Sequence, residues 1–234
     1  MARPRSADHD IKRRAILVQS AILFAQNGYD RTSMAEVAAG CGVSKALLYH
    51  YYDSKDALLF DILRNHLQEL LDAVQAVDTS LSPRLRLRAL VGALLESYRD
   101  ADHEHKIQIN EMSKLPPEHH TALVGMERDL VAVFAGAIAE VLPAIGRSKS
   151  FLKPVTMSLF GMLNWHYMWF REDGTMSRED YADLATTVLV EGAQALSSLK
   201  SRHSTRPEPE APAHRASRRT RPSHPSRRLA PQGS

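Results

Sequence analysis

The chain of 234 residues contains one cysteine, Cys41, so no disulfide can form within it and a disulfide-stapled scaffold is excluded. Long apolar runs are also missing. The two longest mainly apolar stretches, 130–142 and 157–170, fall short of the roughly 20 residues a membrane helix needs. The N-terminus, Met-Ala-Arg-Pro-Arg-Ser, leads into charged residues and not into an apolar run, which argues against a secretory signal and for a cytoplasmic location, without membrane partners. Common catalytic signatures are absent: there is no G-x-S-x-G elbow, no G-x-x-x-x-G-K-[ST] loop and no H-E-x-x-H pair. No enzyme activity and no cofactor are therefore expected. Histidine and carboxylate do cluster at Asp102-His103-Glu104-His105 and at Glu118-His119-His120. Spacings of i, i+1 and i, i+2 do not put two histidines on one helix face, so these read as solvated loop or helix-end residues and no metal site is expected.

Charge is unevenly distributed behind a net value of +3. Residues 1–50 hold 7 Lys+Arg against 4 Asp+Glu, residues 51–199 hold 14 against 21, and residues 200–234 hold 9 against 2. A basic head and a strongly basic tail thus flank an acidic body, and a polyanion would meet the two ends. Half of the 12 prolines lie in the last 35 residues, where large apolar side chains almost vanish. That composition predicts a disordered tail over 200–234, either a solvated extension or an auxiliary polycation for nucleic acid through Arg218-Arg219 and Arg227-Arg228.

The remaining chain shows helical and not alternating periodicity, so the fold class is all-α. Leu17, Ala21, Phe24 and Gly28 mark one helix face that ends at Asn27-Gly28. Ser33 with Glu36 forms a capping box for a short helix to about Ala39, Gly40 to Gly42 make a turn, and Ser44 caps a second short helix. Asp53 or Ser54 caps a longer one to about Gln75, followed by expected helices over 83–101, 105–115, 118–141, 148–171 and 177–199. The implied organisation is a flexible arm over 1–9, a three-helix helix-turn-helix domain over 10–56, and a helical-bundle body for ligand binding and dimerisation over 57–199, followed by the tail.

The helix-turn-helix spans Ser33 to Tyr52. Met34, Val37 and Ala38 would face its core, with Val43, Leu47 and Leu48 from the second helix, while Gly42 permits the turn. Placed in a major groove, Lys45 could donate to guanine and Ala46 could touch a thymine methyl. Ser44 lies on the outer side of that helix, and Thr32 and Ser33 at a helix start, with Tyr49, His50, Tyr51 and Lys55, are the candidate phosphate contacts on a double-stranded DNA operator. The alternative is a helical packing or protein-interaction unit that binds no DNA.

The run from Ile16 to Tyr29, Thr32 to Ala38, Gly42-Val43-Ser44-Lys45, Leu48 to Tyr52 and Ser54 to Leu59 resembles the N-terminal domain of the tetracycline-repressor (TetR) family. The resemblance implies a homodimeric transcription regulator, usually a repressor, whose helical body binds a small effector and moves two DNA-reading heads. It places Thr32, Ser44, Lys45, Tyr49, His50, Tyr51 and Lys55 at operator contacts. Leu47 departs from the small or hydroxyl residue common at its position, and Cys41 from the usual small residue.

For the effector, the segment 160–171 holds both tryptophans, with Gly161, Trp165, Met168 and Trp169 on one helical face and Asn164 beside them. That face is either core or dimer interface, or a wall of an apolar pocket in which Gly161 leaves room and Asn164 supplies a polar handle. The candidate ligand set is Asn110, Phe160, Gly161, Asn164, Trp165, Met168 and Trp169. This segment, with Lys114 to His119 and Asp173-Gly174, resembles the TetR subgroup answering to acyl-CoA or aryl-CoA thioesters, such as phenylacetyl-CoA or lipid- and steroid-derived thioesters. Coenzyme A would need cations for its phosphates, drawn from Lys106, Lys114, Arg128, Arg171 and Arg178.

Overall fold

A computed structural model of the protein describes residues 4–203, and the regular structure among them is helical throughout. Helix α1 (Pro4–Asn27) turns Ile16, Leu17, Ala21 and Phe24 inward and stops where Gly28 takes φ +86°, a left-handed conformation that costs glycine little. Helix α2 (Met34–Gly40) carries the expected capping box: the Glu36 N–H donates to Ser33 Oγ at 3.2 Å, and the Ser33 N–H donates to Glu36 Oε2 at 2.7 Å. Gly42, at φ +64°, turns the chain into α3 (Lys45–Tyr51), where Ser44 Oγ accepts the Leu47 N–H. Ser54, and not Asp53, caps α4 (Lys55–Gln75) by accepting the Ala57 N–H.

Helix α4 belongs to both halves of the molecule. It packs on α1 in the head and on α5 (Pro83–Ser97), α6 (Asp102–Glu111) and α7 (Pro117–Val141) in the body. A 3-10 turn, Met112–Lys114, joins α6 to α7, and the one-turn α8 (Pro143–Gly146) leads towards α9 (Leu152–Asn164). Helix α7 runs through the middle of the body against α4, α5, α8 and α9, while α10 (Arg178–His203) closes the bundle against α5 and α9. The fully buried Leu63, Leu67, Leu94, Phe134 and Leu159 come from four of these helices, so one core runs through the body. No helix among the described residues is long and apolar enough to cross a membrane.

Several boundaries differ from those the sequence suggests. Helix α1 begins at Pro4, so residues 4–9 are helical and not a flexible arm; proline at the first helical position has its φ already set and lacks only an N–H that would go unpaired. Helix α5 stops at Ser97 because the chain turns through Asp100 at φ +61°. The helix expected over 148–171 covers only Leu152–Asn164 and then tightens into a 3-10 turn, His166–Met168. In this turn the His166 ring is buried between Phe170 (centroids 4.1 Å apart) and Tyr181 of α10 (5.2 Å). Helix α10 runs on to His203, so residues 200–203 of the expected disordered tail are helical; the rest of that tail, 204–234, lies outside the described residues.

Candidate nucleic-acid interface and internal cavity

The outward face of α3 is held from behind by two side chains. Leu48 is fully buried, and Tyr52, just past the helix, donates its hydroxyl to Asp61 Oδ2 of α4 at 2.7 Å. Asp61 also accepts Arg13 of α1 at 2.6 and 2.5 Å and Arg64 at 3.1 Å. Burial would push its carboxyl up, but the hydrogen bonds from Tyr52, Arg13 and Arg64 outweigh that and hold it below the usual carboxylate range. This hub locks α1, α3 and α4 together. It leaves Ser44, Lys45, Ala46, Tyr49 and His50 exposed on one surface, with Lys45 Nζ 5.8 Å from the Tyr49 ring. Leu47, expected in the core, is 36% exposed on the same surface. Tyr51 is half-buried and stacks on His9 of α1 at 4.7 Å.

Three of the expected phosphate contacts are turned to other uses. The Thr32 hydroxyl is buried and donates to the Gly28 carbonyl at 2.9 Å. Ser33 is occupied by its box with Glu36, whose carboxylate already sits at the start of α2 where a phosphate was expected. Lys55 Nζ reaches back to the carbonyls of Tyr29, Asp30 and Thr32 at 2.8, 3.3 and 3.1 Å and lies 4.3 Å from the Tyr29 ring centre. All three of its donors are spent on bracing the turn between α1 and α2.

Inside the body lies a cavity of about 140 Å³ walled by α4, α6, α7 and α9 with Tyr98 at the end of α5. Its apolar wall includes Leu70, Leu130, Val131, Met157 and Phe160. Its polar wall is Tyr98, His105, Gln108, Glu127 and Asn164. The Tyr98 hydroxyl donates to Asn164 Oδ1 at 2.9 Å, His105 Nε2 donates to the Asn164 carbonyl at 3.0 Å, and Gln108 Nε2 donates to Glu127 Oε1 at 2.8 Å. Burial lowers the pKa of His105 and pushes the Tyr98 phenol up, so both are neutral around pH 7. Beyond the cavity wall, His66 of α4 stands 6.1 Å from the His105 ring and is pushed down to about 3 by burial, with a smaller contribution from His105.

Comparison with known proteins decides the family. Residues 16–62 match the family described as "Bacterial regulatory proteins, tetR family", and residues 80–193 match "Tetracyclin repressor-like, C-terminal domain". A solved TetR-family transcriptional regulator from Bordetella parapertussis 12822 is 32% identical with a TM-score of 0.72, over 78% of this chain and 96% of that one. The chain belongs to the TetR family. It is a transcription regulator and not an enzyme. The structure of AibR in complex with isovaleryl coenzyme A and operator DNA is 30% identical with a TM-score of 0.65, over 76% of this chain and 98% of AibR. The repressor KstR2 of Rhodococcus jostii is 28% identical over 77% of this chain and 90% of its own length. The chain spans less than half the length of several other curated regulators that it matches.

In this TetR-family chain the cavity gathers only part of the expected ligand set. Phe160 and Asn164 line it. Asn110 does not: it is exposed and donates to the Lys106 carbonyl at 2.8 Å. Gly161 is also outside, with open space where a Cβ would stand. Trp165, Met168 and Trp169 are 57%, 60% and 49% exposed, because the break after Asn164 removes the single face they were expected to share. Of the cations proposed for coenzyme A, Lys106 donates to the Ala25 carbonyl, Lys114 pairs with Asp30 and Glu111, and Arg178 pairs with Glu172. His105, expected as a solvated helix-end residue, is buried in the cavity wall. The lining residues missed were Leu70, Tyr98, His105, Gln108, Glu127, Leu130, Val131 and Met157. A spacing signal existed: 105/108, 127/130/131 and 157/160/164 each repeat along one helix face.

Proposed function

We propose that this protein is a repressor that binds a palindromic operator as a homodimer and is released by a small effector, an acyl-CoA or aryl-CoA thioester, in control of a degradative operon. The observation that carries this reading is the position of the cavity. Two of its walls, α4 and α6, are the body helices that also pack on α1 of the head. A ligand that fits one arrangement of those walls better than another shifts the population of head positions by its differential affinity.

The size of the cavity supports a compact acyl group. About 140 Å³ suits a single six-membered ring or a short branched chain, the phenylacetyl group among them. Val131 also lines a neighbouring groove of about 360 Å³ that carries Arg147, Lys149 and Lys153, cations suited to the phosphates of coenzyme A outside the cavity. The thioester complex of AibR and the repressor KstR2 support the same effector class and direction of control. Dimerisation is supported by exposed apolar side chains at Leu184 and Val188 of α10, with Trp165 and Met168 after α9.

The test is operator binding by the full chain, with the operator first selected from random duplexes. Titration with isovaleryl-CoA, phenylacetyl-CoA and their free acids should show release by at least one thioester and by neither acid. No release by any thioester sinks the effector class; failure to select any duplex sinks DNA binding itself.

A further inference from the structure

The cavity and the cationic groove beside it are neighbours of opposite character. Both are lined by Val131, and Thr156 of the groove is followed in α9 by Met157 of the cavity. Along α7 the cavity takes Glu127, Leu130 and Val131 and the groove takes Val131 and Ala135, so the two are offset by about one helical turn, roughly 6 Å. The groove combines half-buried Val131, Ala135 and Leu152 with exposed Arg147, Lys149 and Lys153. None of these three cations has a hydrogen-bonding or ion-pair partner among the described residues, and no carboxylate lines the groove. Helix α9 begins there without a side-chain cap, and its unpaired N–H groups add to the preference for an anion. The cavity has no lysine or arginine in its wall and holds the Glu127 carboxylate.

The two sites also differ in what they touch. No groove residue comes from α4 or α6, the body helices that pack on α1 of the head, whereas the cavity takes walls from both. From this division we infer that free coenzyme A occupies the groove through its phosphates without releasing the operator, and so competes with the thioester that does release it. The inference rests on the thioester reading above and adds its regulation: the protein answers to the ratio of thioester to free coenzyme A. Phosphates held equally well in both head positions contribute affinity and shift no population. Only the acyl group, enclosed by α4 and α6, discriminates between those positions. The Glu127 carboxylate keeps the phosphates from entering the cavity themselves, since two like charges would be buried together. Every acyl transfer from a thioester leaves free coenzyme A behind, so the product of effector consumption takes the groove and restores operator binding.

The decisive experiment titrates operator release by the full chain with isovaleryl-CoA and phenylacetyl-CoA at fixed concentrations of a competitor. The competitors are coenzyme A and adenosine 3′,5′-bisphosphate, which keeps phosphates and lacks the thiol; calorimetry measures their direct binding. Both should bind without releasing the operator. At ten times its own dissociation constant, each should raise the thioester concentration for half release about tenfold. Lys149→Glu combined with Lys153→Glu should weaken coenzyme A at least tenfold and remove the competition. Met157→Trp, which fills the cavity from a position 47% exposed, should abolish release by the thioester and keep coenzyme A binding. Melting curves establish that the variants fold, and the charge reversals, at exposed residues, cover the case in which Met157→Trp does not. Release by coenzyme A alone, a thioester midpoint indifferent to it, or competition undiminished in the charge-reversed protein would overturn the inference. The thioester reading fails separately. No release by any thioester, with coenzyme A bound by the parent and lost from the charge-reversed protein, discards that reading and keeps the groove as the coenzyme A site. Release by a thioester without any binding of coenzyme A keeps the reading and discards the inference.

Discussion

Tyr52 and Asp61 meet at 2.7 Å where the chain leaving α3 touches α4, and the same carboxylate accepts Arg13 from α1. The orientation of the exposed face of α3 therefore depends on one buried carboxylate. Asp61→Ala leaves the Arg13 guanidinium and the Tyr52 hydroxyl without their acceptor and should cost about 2 kcal/mol or more. Chemical denaturation should show the loss, and operator affinity should fall with it. An unchanged midpoint would mean that water replaces the carboxylate.

A second prediction concerns Lys45, exposed on α3 with no hydrogen-bonding or ion-pair partner among the described residues. Lys45→Ala should weaken binding to the selected operator by about 1–3 kcal/mol and relax preference at one base position. Equal losses on operator and random duplex, measured by fluorescence anisotropy, would make it a phosphate contact.

Acid should destabilise the fold in a window set by histidines. Burial holds His66 down to about 3 and His166 to about 4, the latter with help from Arg178, and lowers His105 as well. Unfolded histidines titrate near about 6.5, so between that value and about 4 the unfolded chain binds more protons and stability falls as pH falls. Each histidine contributes a slope of up to about 1.4 kcal/mol per pH unit. The Asp61 carboxylate, lowered from an ordinary value of 3.8, acts mainly below this range. Denaturation curves of His66→Phe between about pH 6 and 4.5 should be shallower by one such share; a slope equal to that of the parent would refute a neutral buried His66.

Leu184 and Val188, four residues apart on α10, are 46% and 53% exposed. Changing both to glutamate should leave the monomer folded and convert a dimer to monomers in sedimentation velocity, with at least tenfold weaker operator binding from the lost second head. A persistent dimer would place the interface elsewhere.

The head was the most legible part of the chain. Capping by Ser33, Ser44 and Ser54, the glycine turn at Gly42 and the inward Met34, Val37 and Ala38 are local features, readable from spacing and residue type. The inward roles of Thr32 and Lys55 were not legible. A hydroxyl and an ammonium beside an anion-binding helix start look like phosphate ligands, until folding brings the carbonyls of Gly28, Tyr29 and Asp30 within their reach. The aromatic segment after Asn164 was misplaced for a similar reason. Its helical period is genuine, yet the helix ends at Asn164, His166 is buried against Phe170 and Tyr181, and Trp165 and Met168 lie on the surface.

The residues by themselves determined an all-helical chain with a DNA-reading head, because helix period, caps and glycine turns act over a few neighbours. Tertiary structure alone decided which polar side chains stand around the cavity. Tyr98, His105 and Asn164 come from three separate segments, and only their packing makes one hydrogen-bonded wall. Hydrogen bonds between distant segments depend on where backbones come to rest, and no local pattern encodes that.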